Sequence, residues 1–422
     1  MRIVFLSKFT PKNSYGGAEV SAWYTAKGLV SLGQEVFYFR QVEDLKKSRR
    51  QEYYQEGIKV FEIPGIFGRD VLTLEKLWAY RQAGKLKEYL PKDIDVIHSH
   101  DQHSLLINYA LKKTLANKKT KYFHTVRDYT PICGFNHLTT KDEVCTRCSR
   151  ESFKNCPKIV QAKWYQKPVR IYRFLTTIPF HQRCLLELTG VVFISKFLRR
   201  EILTSPNWRE RIIKPKSITV IYNPAPDWHK LDKSQLQANS AFRLLFVGRL
   251  EYHKGPHILF TAINLLAADA RLKGRLSLDM VGGGDIAKYR RLTQESGIEK
   301  IVNFRGQVLH KDLPQVYAQA DLLVLPSIWP EPFGRGIIEA GICVVPTLAS
   351  DWAGPREIIK NNQTGWLFNI ADSQALADKI KELALNRELV QRVGQNCREF
   401  VSDNFNAIKV SRAYLDFYQK KV

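Results

Sequence analysis

The chain has 422 residues, of which 44% are hydrophobic and 11% aromatic, so it has enough apolar side chains for two or three packed domains. No run of about 18 apolar residues occurs, and the sequence therefore predicts no membrane-spanning helix. The excess of 65 Lys and Arg over 41 Asp and Glu gives a net charge of +24, which favours nucleic acid, acidic lipid or phosphorylated substrates as partners. The first residues enter an apolar strand without the layout of a signal peptide, and we expect a cytoplasmic location.

Residues 1–40 predict a strand, a glycine loop, a helix and a second strand, which is the pattern of a Rossmann-like unit. Gly16 and Gly17 stand where the loop enters the helix, so their N–H groups are candidates to face a phosphate. A tight turn explains two glycines equally well. Short β-branched or aromatic runs then alternate with helical patterns, which predicts a parallel sheet with ligands beyond the carboxyl ends of its strands.

Polar side chains follow two of these strands. The first cluster contains His98, His100, Asp101 and His103, and the second contains His124, Arg127 and Asp128. The first cluster has the residue types of a zinc site. Arg127 is a permanent cation that can donate two hydrogen bonds to a phosphate or carboxylate, but it cannot act as a base.

Residues 131–158 interrupt the alternation with a polar segment that contains Cys133, Cys145, Cys148 and Cys156. One C-x-x-C pair with two outlying cysteines suits a tetrahedral zinc ion, which would order a segment of little apolar content. Four thiolates leave no open position, so the metal would be structural. The alternatives are an inert loop with buried thiols and a disulfide, which a cytosolic location disfavours.

Aromatic side chains alternate with Lys and Arg across residues 159–189, and residues 141–222 hold 17 Lys and Arg against 6 Asp and Glu. We expect Pro168 and Pro179 to break the helical pattern here. The segment fits an anionic membrane surface, a cover over a ligand cleft, or one or two amphipathic helices packed in the N-terminal domain.

The second half of the chain repeats the strand, loop and helix pattern. Arg249 and Lys254 lie in the loop after one strand, and Gly255 opens the next helix. Two cations at a helix N-terminus form a clamp for a diphosphate through charge-assisted hydrogen bonds. Solvated surface cations are the alternative.

Residues 325–340 predict the end of a strand, a loop with two prolines, and a helix. Glu331 lies in the loop and Glu339 on the helix, where Gly334 and Gly336 allow a close backbone approach. Carboxylates accept hydrogen bonds from sugar hydroxyls, and a helix N-terminus favours anions. The stretch predicts a site for a polyhydroxylated, phosphate-bearing ligand, against the alternative of a surface loop with two ordinary glutamates.

The strings GGAE, GRLEYHKG and EPFGRGIIEA, with AGPREII and TGWLF after them, resemble glycosyltransferase family 4, whose retaining enzymes have an E-x7-E signature and the GT-B fold. A subset of that family has a similar Cys-containing insertion. The resemblance implies an α/β fold with two Rossmann-like domains whose parallel sheets face across a cleft. It divides the chain into an acceptor domain at 1–222, a donor domain at 223–404, and a helix at 405–422 that crosses back.

The resemblance implies roles for single residues. Glu339 would bind the ribose and Glu331 the transferred sugar's hydroxyls. The implied catalytic residues are Arg249, Lys254, Glu331, His124 and Arg127. The implied substrate-binding residues are Gly16, Gly17, Glu19, Asn223, Gly248, Arg305, Gly306, Phe333, Gly334, Arg335, Gly336 and Glu339. The chain departs from the family pattern at Arg127, where a histidine is usual, and at Pro224 and Val344, where glycines are usual.

The resemblance further implies sugar transfer from a nucleotide diphosphate sugar to a glycan or lipid-linked acceptor, in cell-surface polysaccharide or glycoconjugate synthesis. Retention would follow a same-face mechanism in which the leaving phosphate helps to deprotonate the acceptor. No cofactor serves this chemistry, and metal-independent GT-B proteins often carry histidines at the edge where the His98 cluster stands. We expect structural zinc at the four cysteines, peripheral attachment to the inner face of an anionic membrane, and no nucleic acid. The alternatives are a GT-B phosphorylase or epimerase, or a basic Cys-knuckle nucleic-acid-binding protein.

Overall fold

The computed structural model describes residues 1–8, 17–41, 51–66, 75–115, 117, 119–133, 145, 156–205, 217–228 and 241–420, without the side chains of residues 157, 158, 173 and 174. These residues form two compact units. The described residues up to Pro224 and from Ala407 onward belong to the first unit, and Ala225–Asn406 is the second. No described helix is both long enough and apolar enough to cross a membrane.

The described residues of the first unit form one sheet. Its described strands are β1 (Arg2–Leu6), β2 (Glu35–Gln41), β3 (Gln51–Gln55), β4 (Ile58–Ile63), β5 (Val96–Ser99), β6 (Lys121–Val126), β7 (Gly190–Phe193) and β8 (Ile218–Val220). They lie in the order β3-β4-β2-β1-β5-β6-β7-β8. Neighbouring strands are parallel, apart from the antiparallel pair of β3 and β4. The predicted parallel sheet is confirmed. Of its central strands, β1 is buried from Ile3 to Leu6 and β5 is buried along its whole length.

The described helices of this part of the chain are α1 (Gly17–Ser31), α2 (Glu75–Lys87), α3 (Gln102–Thr114), α4 (Pro157–Val160), α5 (Lys167–Glu187) and α6 (Lys196–Leu203). The expected break at Pro179 was wrong, because α5 runs through it. Pro168 lies in the first turn, where a missing N–H costs nothing. Pro179 removes one backbone hydrogen bond, and packing holds the helix across it: the rings of Phe180 and Tyr109 are 5.9 Å apart, and Gln182 donates to the Pro131 carbonyl at 2.9 Å.

The second unit contains a sheet in which every neighbouring pair is parallel. Its strands are β9 (Phe242–Val247), β10 (Leu276–Val281), β11 (Val302–Gly306), β12 (Leu322–Leu325), β13 (Thr347–Ser350) and β14 (Gly365–Phe368), in the order β11-β10-β9-β12-β13-β14. Its described helices are α7 (Pro256–Ala267), α8 (Ile286–Glu295), α9 (Leu313–Ala318), α10 (Arg335–Ile342), α11 (Pro355–Ile358), α12 (Ser373–Leu385) and α13 (Arg387–Phe405). The strand, loop and helix predicted across 325–340 are confirmed.

The last helix, α14 (Ala407–Gln419), packs on α1 in the first unit. Ser411 Oγ donates to the Thr25 carbonyl at 2.9 Å. A Cβ added to Gly28 would lie 2.2 Å from the same Ser411 Oγ, so the two helices approach too closely for any side chain at that position. The end of the chain therefore completes the first unit's core.

Candidate functional site

Three strands of the first sheet end at one edge, because Leu6 of β1 pairs with Ser99 of β5, and Ser99 pairs with His124 of β6. The segments that follow these strands line a cavity of about 280 Å³, together with the first turn of α1 and with His181 of α5. The predicted polar residues among those that line it are Glu19, His100, Asp101, His103, His124, Arg127 and Asp128. The fold therefore brings both predicted polar clusters into one site.

His98 is the member of these clusters that does not line the cavity. Its Nδ1 lies 2.5 Å from the Tyr418 hydroxyl, and its Nε2 lies 2.8 Å from Thr125 Oγ1. Both ring nitrogens thus make hydrogen bonds inside the buried core, where His98 ties β5 to β6 and to α14. Its role is structural.

Arg127 is held at the cavity by two hydrogen bonds. Its Nη1 donates to Asn223 Oδ1 at 2.5 Å, and its Nη2 donates to His100 Nδ1 at 3.2 Å. Because an arginine N–H can only donate, His100 accepts at Nδ1 and carries its proton on Nε2. The His100 ring is buried, and within the described residues its Nε2 has no hydrogen-bond partner. This N–H is therefore a buried donor without a partner in the described part of the chain, on a residue that lines the cavity, a feature that the sequence did not reveal for His100.

His124 is buried at the end of β6, where its Nδ1 lies 2.9 Å from Ser99 Oγ. Burial, with a further contribution from the Arg127 guanidinium, lowers the pKa of His124 to about 3. Burial likewise holds the pKa of His100 well below its ordinary value. Both imidazoles are neutral at pH 7, which suits hydrogen bonds to hydroxyl groups better than contacts to phosphate.

Three carboxyl groups share this cavity, and burial raises the pKa of each of them, Glu19, Asp101 and Asp128. Asp101 caps α3 by accepting from the backbone N–H groups of His103 at 2.9 Å and Ser104 at 3.0 Å. Its second oxygen accepts from the Lys8 N–H at 3.0 Å, which fixes the segment after β1. The lining of the cavity thus includes the neutral imidazoles of His100 and His124, three carboxyl groups whose pKa values burial raises, and the Arg127 guanidinium.

In the second unit, each cation of the predicted diphosphate clamp is paired with a carboxylate. Lys254 Nζ lies 2.5 Å from Glu331 Oε1 and 4.4 Å from the centroid of the Trp329 ring. Arg249 Nη1 lies 2.9 Å from Glu251 Oε1. The Lys254 side chain is only 18% exposed, whereas that of Arg249 is 53% exposed. The fold therefore joins Lys254 directly to the first glutamate of the E-x7-E pair.

Gly255 makes this pairing possible. It has a φ angle of 74°, which favours glycine, and an added Cβ would lie 1.9 Å from the Pro326 carbonyl oxygen. The loops that follow β9 and β12 therefore touch at this glycine. That contact places Lys254 beside Glu331, 77 residues later in the chain.

Glu339 is buried on α10 and is held by three donors. Arg335 Nε donates to Oε1 at 2.7 Å, His310 Nε2 lies 3.2 Å from the same oxygen, and the Tyr317 hydroxyl donates to Oε2 at 3.0 Å. Burial alone would raise the pKa of Glu339, but the Arg335 charge with the His310 and Tyr317 contacts lowers it to about 2. Glu339 is therefore a fixed, charged acceptor. The Trp228 ring lies 4.8 Å from the His310 ring.

The remaining predicted residues of the second unit lie near the carboxyl edge of its sheet. Gly248 N–H donates to the Val281 carbonyl at 2.9 Å, and the Gly306 carbonyl accepts from Gly282 at 2.8 Å. Arg305 forms an ion pair with Asp279 at 2.7 Å.

Three further predicted residues lie before or in the first turn of α10. Phe333 is buried edge-on against Phe405, and Gly334 and Gly336 stand at the start of the helix. In the first unit, Gly17 begins α1, whereas Gly16 lies outside the described residues.

The predicted zinc ligands are only partly described. Cys133 is buried, Cys145 and Cys156 are partly buried, and Cys148 lies outside the described residues. Within the part of the chain that the structure describes, no group of three or more His, Cys, Asp and Glu side chains could hold a metal ion. Structural zinc at the four cysteines remains a prediction.

Known proteins resemble this chain along its whole length. Residues 15–227 match the family Glycosyltransferase Family 4, and residues 229–400 match Glycosyl transferases group 1. An uncharacterized glycosyltransferase of Methanocaldococcus jannaschii is 26% identical over 87% of this chain and 85% of its own. The capsular polysaccharide biosynthesis glycosyltransferase CapM of Staphylococcus aureus is 25% identical over 57% of this chain and 68% of its own. Anabaena HepE, solved in complex with UDP and glucose, has a similar fold, with a TM-score of 0.67, 18% identity and 99% of each chain covered.

Proposed function

Because this chain belongs to glycosyltransferase family 4, we propose that it moves a sugar from a nucleotide diphosphate sugar to a glycan or lipid-linked acceptor, with retention at the anomeric carbon. The chain is a glycosyltransferase of the GT-B fold. The likeness to CapM supports a role in polysaccharide synthesis, and the likeness to HepE supports a nucleotide-linked donor.

The surroundings of Glu339 carry the proposal. A carboxylate has about four acceptor positions, and Arg335, His310 and Tyr317 occupy three of them. One position remains for a hydroxyl of the ligand, as the ribose contact requires. A charge buried in this way is costly unless several donors hold it, so the site is built to keep an acceptor charged and fixed.

Arg249 and Lys254 act on the donor's diphosphate. Their cationic groups exchange the Glu251 and Glu331 carboxylates for phosphate oxygens and stabilise the charge that develops as the diphosphate leaves. Glu331, released from Lys254, accepts hydrogen bonds from the transferred sugar. The neutral imidazoles and Arg127 of the first unit hold the acceptor, and the leaving phosphate takes its proton on the same face of the sugar.

A donor screen tests the second unit. Thermal shifts with UDP, GDP, ADP and their sugars should identify the base, since a ligand at 100 times its Kd stabilises by about 2.7 kcal/mol. Glu339→Ala should then weaken donor binding by about ten- to a hundredfold, and Lys254→Ala should do at least the same. Lys379 and Glu382 form an exposed ion pair of 2.6 Å in the same unit, and their alanine variants are the matched controls.

Arg127 tests the acceptor side. Arg127→Lys cannot keep the contacts to Asn223 and His100 together, so transfer should fall by about tenfold or more at unchanged donor affinity. Arg200→Lys, an exposed arginine of the same unit, should leave both quantities unchanged. Unchanged kinetics in the Glu339, Lys254 and Arg127 variants with a verified donor would refute the assignment.

The reaction type needs its own measurement. Proton NMR of the product reports the anomeric configuration, and retention is expected. Consumption of free phosphate would instead identify a phosphorylase, and an inverted product would contradict the same-face mechanism.

A further inference from the structure

One side of α5, with the helical turn of Trp164–Gln166 and the last residue of α4 before it, exposes a stripe of apolar and aromatic side chains. The stripe consists of Val160, Trp164, Tyr165, Val169, Tyr172 and Leu175, whose exposed fractions lie between 45% and 83%. Tyr165, Val169 and Tyr172 follow the spacing of one helix face. Single exposed apolar residues are ordinary, but a continuous stripe indicates an interaction surface.

The α5 stripe is not needed for packing within the first unit, because α5 has a second apolar side that is already buried. Ile178, Cys184 and Leu185 are each at most 4% exposed. Ile178 forms a cluster with Ile159, to which the partly buried Ile171 adds. The helix is thus anchored on one side while the stripe faces outward.

The charged side chains of the segment that carries the α5 stripe have one sign. Residues 156–186 contain six basic residues and no acidic residue. Of the basic residues beside the stripe, Lys163 is exposed, and Lys167 and Arg170 are half-buried. Trp and Tyr favour the level of lipid headgroups, and Lys and Arg are attracted by anionic lipid. Nucleic acid would account for the cations and the rings, but not for Val160, Val169 and Leu175, whose aliphatic side chains suit an acyl boundary.

We propose that the α5 stripe inserts into the headgroup region of an anionic lipid bilayer and attaches the first unit to its surface. The same helix carries His181 to the cavity at the edge of the first sheet. At 1.5 Å per residue, Leu175 and His181 are about 9 Å apart along the helix. One helix thus connects the stripe to the cavity, and in our proposal a lipid-linked acceptor in that bilayer reaches the cavity along it. This consequence rests on the proposed function, whereas lipid binding itself does not.

Vesicle sedimentation with the full chain tests the proposal. The protein should sediment with vesicles that contain phosphatidylglycerol, much less with pure phosphatidylcholine, and salt should release it. Trp164→Ser with Tyr172→Ser should weaken binding by about tenfold or more. Lys163→Gln, Lys167→Gln and Arg170→Gln together should weaken binding to anionic vesicles on the order of a hundredfold.

Matched controls distinguish the effect of the stripe residues from the effect of removing apolar or charged side chains anywhere on the surface. Tyr54 and Leu265 are 74% and 44% exposed elsewhere, and replacing both with Ser should not change vesicle binding. Lys119→Gln, Lys273→Gln and Lys300→Gln remove the same charge from other exposed positions and should have little effect. Unchanged hydrogen-exchange protection of β5 and β6 shows that the first unit of every variant is folded. Unchanged thermal shifts with the donor nucleotide distinguish a failure here from a failure of the proposed function.

Several outcomes would overturn the proposal. These are absent vesicle binding, equal binding to neutral and anionic vesicles, and stripe variants that bind like the parent. Binding of a single-stranded RNA that the stripe variants lose, without vesicle binding, would reassign the surface to nucleic acid. A dimer that the Trp164 and Tyr172 variant converts to monomer, again without vesicle binding, would reassign it to a second copy of the chain.

Discussion

Val344 adopts a left-handed backbone conformation, with a φ angle of 61°. The turn that contains it is fixed on both sides: Val344 N–H donates to the Gly341 carbonyl and Val345 N–H to the Ala340 carbonyl, each at 2.9 Å. A Cβ added to Gly394 of α13 would lie 2.7 Å from the Val344 carbonyl oxygen, so that helix packs directly on the turn. A β-branched residue is strained in this conformation, which explains why family members usually have glycine there.

Val344→Gly should stabilise the protein. Removing the left-handed strain gains about 1–2 kcal/mol, and the greater freedom of glycine in the unfolded chain costs about 0.4–1 kcal/mol. Calorimetry should show the second unit's Tm rising by about 2–4 °C. Val344→Ala keeps a Cβ at the same φ and should gain less than the glycine variant. A lower Tm for Val344→Gly would show that the left-handed conformation of Val344 does not strain the backbone.

Glu339 should make stability depend on pH. Its pKa is about 2 in the folded chain and 4.5 when unperturbed, so its contribution is complete above pH 4.5 and is lost as the pH falls towards 2. A shift of this size corresponds to about 3 kcal/mol. In Glu339→Gln, the Arg335 cation has no carboxylate partner at any pH. The parent protein reaches that state only when acid protonates Glu339.

Urea titrations at pH 7, 5, 4 and 3 check this dependence. The unfolding free energies of the parent and of Glu339→Gln should differ most at pH 7 and converge below pH 4.5. Glu382→Gln changes an exposed position of the same unit. Its unfolding free energy should differ from that of the parent by a constant amount over this pH range. If the unfolding free energies of the parent and of Glu339→Gln differ by the same amount from pH 7 to pH 3, Glu339 is not held charged.

At the scale of elements, the loops after β9 and β12 and the start of α10 form the proposed donor site, since each follows a strand at the same sheet edge. The segment with the four cysteines is an element of another kind. Its low apolar content is the reason that we predict a metal ion there, which would supply the free energy of ordering.

Protein purified under reducing conditions should contain about one zinc ion, measured by elemental analysis. Cys148→Ser should release it and open residues 131–158 to protease, while the donor nucleotide still binds. Cys184→Ser removes a buried thiol of α5 outside that segment and should keep the metal. If the purified protein contains no metal and all four thiols titrate freely, the predicted zinc site does not exist.

At the scale of the molecule, α14 joins the end of the chain to the first unit's core. Lys121 Nζ donates to the Tyr418 carbonyl at 2.9 Å, and the Tyr418 hydroxyl contacts the buried His98. The stability of the first unit thus depends on residues that follow the whole second unit in sequence.

Tyr418→Phe should destabilise the first unit by about 1–3 kcal/mol, because a buried nitrogen of His98 loses its partner. Hydrogen exchange should show weaker protection in β5 and β6 and unchanged protection in β9 and β12. Tyr54→Phe removes an exposed hydroxyl and should leave both sheets unchanged. Equal loss of protection in both sheets would show that the two units unfold together.

The sequence by itself determined the alternation of strands and helices, and it predicted a diphosphate clamp at Arg249 and Lys254 and a ligand-binding glutamate pair at Glu331 and Glu339. These features depend on residues a few positions apart, where hydrophobic period, glycine and proline act locally. Local rules also misled at Pro179, because tertiary packing of α5 outweighs one lost backbone hydrogen bond.

Only the tertiary structure decided which side chains hold the site. His310 and Tyr317 reach Glu339 from 29 and 22 residues away, and Arg127 reaches Asn223 across 96 residues. Such partners depend on strand order and register, which bring distant loops to one edge of a sheet and which no short pattern encodes. The proton on His100 Nε2 follows in turn from the Arg127 contact. The residues that we propose to carry the chemistry were visible in the sequence, whereas their protonation and their orientation were set by the fold.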